Sequence, residues 1–121
     1  MCFLISMSEF NAFRTQLSTS PETVEFDQVI ALIEAKYTYT PTAFANGSVQ
    51  NDAGTNEGSC KLFAFGLWND LTPEQMLACF GKYYREDVLA HPEGTDHANI
   101  RNFMRSGWAG VVFEGNALQP K

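Results

Sequence analysis

A proline and a glycine close together, Pro92 and Gly94, interrupt the most strongly helical part of this chain and dictate its layout. The residue before a proline is pushed out of the α region, so the helix that precedes His91 must end there. Gly94 supplies a turn, Thr95 is a good N-cap, and Asp96 in a first turn complements the positive end of a helix dipole. The spacing predicts a new helix over Asp96–Ser106, with His97, Ile100 and Met104 on one face and Phe103 beside them. His97 is then expected on or next to a buried face, near a helix N-terminus, where burial and dipole both favour a neutral imidazole. The stretch His91–Phe103 also holds both histidines of the chain, two acids, Arg101 and two asparagines. It is the first place to look for chemistry.

The helix on its N-terminal side has the clearest start in the sequence. Thr72 suits the N-cap, Pro73 the first helical position and Gln75 the third, with Leu71 and Met76 placed as a hydrophobic staple. Leu77, Phe80, Tyr84 and Val88 continue a buried stripe to about Ala90. Gly81 inside that helix costs roughly 1 kcal/mol relative to alanine and suggests close packing by a neighbouring aromatic.

Earlier in the chain, Ser6 and Glu9 have the form of a capping box, followed by Phe10, Phe13 and Leu17 in a first short helix. Met7 offers an alternative start that would make residues 1–6 an extension. A second helix is expected to begin between Thr23 and Asp27, capped by Asp27 or Ser20, and to carry Phe26, Val29, Ile30, Ile33 and Tyr37. Tyr37–Thr40 reads as a strand at an edge, because Pro41 cannot donate to a ladder. Asn46-Gly47 is a hairpin signal, with Thr42–Ala45 and Ser48–Gln50 as arms. A polar loop follows to Gly58. Ser59–Trp68 is apolar nearly all round, and Ser59 as N-cap favours a helix there. Val111–Phe113 reads as a strand that joins the hairpin, and residues 116–121 as a loose tail. No repeat or linker divides residues 1–121. The expected fold is a single α+β domain with about five helices and a short antiparallel sheet of two or three strands.

Composition narrows the partners. The formal net charge of −6 argues against nucleic acid and anionic membrane surfaces. The apolar run after Met1 is too short for a membrane span and lacks a basic leader. Cys2, Cys60 and Cys79 are odd in number and form no CxxC, so they are read as thiols of a reducing compartment and not as a disulfide framework.

Several long runs carry a resemblance: Tyr37–Phe44 (YTYTPTAF), Ala53–Phe65 (AGTNEGSCKLFAF), Leu77–Leu89 (LACFGKYYREDVL), Pro92–Met104 (PEGTDHANIRNFM) and Gly107–Gly115 (GWAGVVFEG). From about Met7 to Leu118 the chain resembles the HopJ type III effector family of small bacterial proteins. The resemblance implies a protein passed through a type III secretion apparatus into a host cell, acting there on a partner protein. It supplies no catalytic residues. The chain shows no long Ser-rich leader, its helix signal beginning by Ser6, so a cytoplasmic role is expected beside that of export.

Candidate residues divide by the chemistry they would support. His91, Glu93, Asp96 and His97 are of metal-ligand type, but His91-x5-His97 across a Pro/Gly turn is no standard zinc spacing, so no metal is assigned. Cap and core roles explain the same residues. Cys60 near a helix start and His97, with Asn56, Asn99 or Asn102 as orienting group, are the residue types of a thiol–imidazole pair. A small buried hydrophobe is the plainer reading of Cys60, and no catalytic residue is assigned. Asn56-Glu57-Gly58-Ser59 leads into a helix N-terminus that can bind an anion, with Lys61 at hand, although no phosphate-loop pattern is present. Tyr83, Tyr84, Trp68 and Trp108 are candidates to line a pocket, and Arg101, Asn102 and Arg105 to form a recognition surface. Two functions follow. One is a non-enzymatic protein that binds a partner protein. The other is a small enzyme or ligand-binding protein with a pocket around Asn56, Glu57, Cys60, His91, Asp96, His97 and Arg101. Neither calls for a cofactor.

Overall fold

The computed structural model describes residues 2–121, with side chains described from Phe10 onward. The capping box of Ser6 and Glu9, the Cys2 thiol and the alternative start at Met7 lie outside the described side chains. In chain order the regular elements are α1 (Cys2–Thr19), α2 (Phe26–Lys36), β1 (Tyr37–Tyr39), β2 (Phe44–Asn46), β3 (Val49–Asn51), α3 (Glu57–Trp68), α4 (Pro73–Ala78), α5 (Ala98–Ser106), β4 (Val111–Phe113) and β5 (Leu118–Pro120). Short 3-10 turns fill Pro21–Thr23 and Gly107–Gly110, and a π-helical stretch covers Tyr83–Val88. The fold is α+β, with two small antiparallel sheets, β1-β5 and β3-β2-β4.

The run that is apolar all round explains the architecture. Successive helical residues turn by about 100°, so Phe63 and Phe65 point to nearly opposite sides of α3. Phe63 meets Phe44, Phe80, Phe103 and Trp108 at centroid distances of 5.2–6.2 Å. Phe65 meets Phe10, Phe13 and Tyr37 at 6.0–6.2 Å. A helix buried on both faces needs no polar stripe, which is why its periodicity is ambiguous in the sequence. Cys60, Leu62, Phe63 and Phe65 are all fully enclosed. The α3 helix starts earlier than expected. Asn56, not Ser59, is the N-cap residue, because asparagine tolerates the left-handed conformation (φ 50°) that brings the loop into the helix.

The hairpin forms with its turn displaced by one residue. Asn46 pairs with Val49, leaving Gly47-Ser48 as the two-residue loop. Gly47 has φ +61° and Ser48 a negative φ, which selects a type II′ turn and draws Asn46 into the strand. As expected, Val111–Phe113 joins this sheet, Phe113 opposite Phe44, with the two rings stacked at 5.0 Å. The loose tail expected at 116–121 is corrected. Leu118 is buried, and β5 pairs with β1, Leu118 opposite Tyr39.

The Thr72 cap is as read. Thr72 Oγ1 accepts from the Gln75 N–H at 3.2 Å, and Gln75 Oε1 accepts from the Thr72 N–H at 3.0 Å. Leu71 and Met76 are both buried. The continuous helix expected to Ala90 is not formed. It stops at Ala78 because Gly81 takes φ +60°. A Cβ at Gly81 would lie 2.7 Å from the backbone nitrogen of Phe26, so the close approach is by the start of α2 and not by an aromatic ring. That start is capped by Glu25, whose N–H donates to Gln28 Oε1 at 3.2 Å, and not by Asp27 or Ser20. The chain resumes as a π-turn, with the Leu89 N–H donating to Tyr84 O at 2.9 Å. No helix among the described residues is long and apolar enough to cross a membrane.

Candidate functional site

The break at Pro92 stands as read, but its C-terminal side is built differently. Helix α5 begins at Ala98, and the N-cap position belongs to His97 in the left-handed region (φ 52°), not to Thr95. The preceding loop is fixed by Arg101. Its Nε donates to Asp96 O at 2.6 Å, Nη1 to His91 O at 2.8 Å, and Nη2 to Asp96 Oδ1 at 2.6 Å. Arg101 therefore staples the loop from His91 to Asp96 onto the helix that follows. Its hydrogen bond to Asp96 holds that carboxyl below the usual carboxylate range, with the charges of Arg101 and His97 acting in the same direction.

The left-handed residue swings the His97 ring off the buried face. Nε2 sits 3.0 Å from Asp87 Oδ2 and 3.8 Å from Asp96 Oδ2, and the ring packs against Tyr83 at 5.3 Å. Carboxylates and a tyrosine face, not an apolar core, surround this imidazole. Among the described residues no group of three His, Cys, Asp or Glu side chains is placed to hold a metal ion.

The buried face of α5 is Asn99, Ile100, Asn102 and Phe103, while Met104 is exposed. The two asparagines have partners in the hairpin. Asn99 Nδ2 donates to Asn51 Oδ1 at 2.9 Å, and Asn51 Nδ2 returns a bond to Asn99 Oδ1 at 3.1 Å. Asn46 Nδ2 donates to Asn99 O at 2.8 Å, and Asn102 Nδ2 donates to Asn46 O at 2.6 Å. Asn56 Nδ2 reaches Asn51 Oδ1 at 2.7 Å and joins α3 to the set. Asn46, Asn51, Asn99 and Asn102 are all buried. In the sequence Asn46 reads as a turn residue, Asn51 as loop, Asn99 and Asn102 as orienting groups, and Asn102 also as part of a recognition surface, which its burial rules out. The signal that marks them is the i, i+3 spacing of Asn99 and Asn102 in step with Ile100 and Phe103.

Cys60 lies elsewhere. Its N–H donates to Asn56 O at 2.9 Å inside the helix ladder, and Sγ donates to Thr42 O at 3.5 Å. Burial pushes the thiol up, although the Thr42 bond works the other way, so the lowering expected of a helix start is not realised. Glu57 and Cys60 belong with Tyr39, whose hydroxyl is buried without a hydrogen-bond partner among the described residues. Burial, then Glu57 and Cys60, push that hydroxyl up, and Lys61 Nζ stands 4.8 Å over the ring.

The sequence-derived residues thus fall into three places. Asn56 and His97 line one cleft, together with Tyr83 and Ser59. His91, Asp96 and Arg101 are tied to one another in the stapled loop. Glu57 and Cys60 sit with Tyr39 and Thr42. A groove of about 430 Å3 lies in none of them. It runs between the end of α3 and the β4–β5 connection, lined by Ala64, Leu67, Trp68, Phe113 and Leu118 among others. Trp68 is 52% exposed and Leu67 48%, and the indole is fixed by Nε1 donating to Leu118 O at 3.0 Å. Of the aromatic candidates, Trp68 lines this groove and Tyr83 the cleft, whereas Trp108 packs on Phe63 and Phe103 with Nε1 donating to Leu71 O at 2.8 Å.

Comparison with known proteins matches residues 10–118 to the family described as HopJ type III effector protein. The fold is that of a crystal structure of the unknown function protein VPA0580, at 58% identity and a TM-score of 0.90, covering 92% of each chain. Comparison with curated proteins gives no match.

Proposed function

The chain belongs to the HopJ type III effector protein family, and from that premise we propose that it acts by binding an apolar segment of a partner protein. The observation that carries this reading is the groove at Trp68. Two large apolar side chains, Leu67 and Trp68, stand about half exposed on the rim of a groove of about 430 Å3, and the indole is held in one orientation by Leu118. Rigid, half-covered aromatics of this kind are typical anchors of protein interfaces. Strand β4 bounds the groove through Phe113 and is an edge strand, with Val112 exposed on it.

The catalytic reading has less support. A thiol–imidazole mechanism needs nucleophile and base within hydrogen-bond reach. Cys60 is bonded to Thr42 and raised by burial, while His97 is bonded to Asp87. Membership of a type III effector family also supports delivery into a host cell.

The test uses the full chain with a photo-crosslinking side chain at Leu67 and, as a control surface, at Glu22. The expected result is one protein crosslinked from position 67 and not from 22. Once purified, that protein should bind wild type, and Trp68→Ser should weaken it about tenfold or more with the thermal midpoint little changed. Equal binding by Trp68→Ser, or the same adducts from both positions, overturns the reading.

A further inference from the structure

Between the first turns of α3 and α5 lies a second cleft of about 350 Å3, separate from the Trp68 groove. One side of it is aromatic, formed by Phe26, Phe80, Tyr83 and the ring of His97. Tyr83 stands edge-on to Phe26 at 5.2 Å and tilted over His97 at 5.3 Å, yet 44% of it remains exposed. The other side is lined by Asn56 and Ser59, whose side chains carry an amide and a hydroxyl; Asn56 Nδ2 already donates one hydrogen to Asn51 Oδ1, which leaves its second hydrogen and its carbonyl oxygen. An asparagine amide presents both a donor and an acceptor, and a hydroxyl rotates to serve as either.

Charge decides between the ligands such a cleft would take. Two helix N-termini border it, and they favour negative charge. However, no Lys or Arg lines it, Asp87 is bonded to the His97 ring, and the chain carries a net charge of −6. A free anion would meet an unfavourable field with no lysine or arginine to hold it. Size narrows the choice further. Small-molecule sites run from about 300 to 1,000 Å3, so this cleft has room for one ring system and little more.

We propose that the cleft binds a small, neutral, planar heterocycle. The ring face lies against Tyr83, where offset or edge-on aromatic contacts are favourable. The ring edge, with its donors and acceptors, meets Asn56 and Ser59. The ligand is a free base-like ring and not a polynucleotide, since the acidic chain offers no phosphate track. This site is independent of the partner groove and stands or falls separately from it.

The experiment is an amide NMR titration of the full chain with adenine, uracil and nicotinamide. Cyclohexanol serves as a non-planar compound of similar size, and inorganic phosphate as an anion. At least one heterocycle is expected to give saturable shifts at Gly58, Tyr83 and Ala98. Tyr83→Ala should weaken it about tenfold, the loss expected when one stacking ring is removed. Ser59→Ala should weaken it severalfold while resonances far from the cleft stay in place, so a misfolded Tyr83 variant would not leave the matter open. Three results overturn the proposal: no saturable shift from any of the three heterocycles, equal binding of cyclohexanol, or the same shifts from phosphate alone.

Discussion

Two polar regions flank helix α5, and they are built on opposite principles. The asparagine set (Asn46, Asn51, Asn99 and Asn102) is uncharged, buried and reciprocally bonded. The loop set (Asp87, Asp96, His97 and Arg101) is mostly charged; its two carboxylates are well exposed and its arginine bonds chiefly to backbone carbonyls. The charged residues draw the eye in the sequence because they are the types that do chemistry. In the folded chain the neutral ones carry more of the structure. A buried amide left without its partner loses the whole of its hydration, whereas an exposed ion pair gives up little when water replaces it.

That contrast is open to direct attack. Asn99→Ala removes the side-chain acceptor that Asn46 and Asn51 share and one of the two donors to Asn51 Oδ1, leaving Asn46 its bond to the residue 99 carbonyl and Asn51 its bonds to Phe44 O and Asn56. It should lower stability by about 2 kcal/mol in urea unfolding, the cost of leaving buried amides short of partners. A loss under about 1 kcal/mol would mean that water satisfies the site as well as Asn99 does.

A second prediction sets the interior against pH. Burial pushes the Cys79 thiol up to about 12, from an ordinary value of 9.0. The unfolded chain therefore releases this proton before the folded one does. Stability from the neutral thiol is complete below pH 9 and is lost as pH rises from there toward 12. Urea midpoints measured across that window should fall steeply for wild type and less steeply for Cys79→Ala. Parallel slopes for the two proteins would remove Cys79 as the cause.

The loop set should respond more weakly. His97→Ala breaks the bond to Asp87 on a half-exposed surface and is expected to cost less than about 1 kcal/mol. A loss matching that of Asn99→Ala would abolish the contrast between the two regions.

The smallest effect belongs to Asp96. Its carboxyl titrates below the ordinary range in the folded chain because of Arg101, so its contribution is present above the unfolded value and disappears as pH falls through the folded one. Asp96→Asn should lower stability slightly at neutral pH and flatten the acid limb of the profile, the two proteins converging as pH falls through the folded value. An unaltered acid limb would show that the Arg101 bond is worth the same to either side chain.

Helices with a cap and a stripe were legible in the sequence. Thr72 and Gln75 announce α4 because every part of a capping box is local in sequence. The α+β class and the pairing of β4 with the hairpin were legible for a similar reason, since short β-branched runs bounded by glycine admit few alternatives. What was missed depends on distant partners. Gly81 ends a helix because the start of α2 comes against it, and α2 lies more than fifty residues away. His97 leaves the core face because a left-handed residue precedes α5, and a one-residue rotation is invisible to a periodicity of 3.6. The Trp68 groove needs β5, which looked like a loose tail until its partner β1 was known.

That last pairing has a consequence for how the protein is made. Strand β1 must wait for residues some eighty positions downstream, with Tyr37 opposite Pro120 and the Thr40 N–H donating to Ala117 O at 2.8 Å. Contacts so far apart in sequence form late, after local helices and the hairpin have settled. A chain cut before Leu118 lacks the carbonyl that orients the Trp68 indole, so the rim of the groove is complete only once β5 has paired with β1.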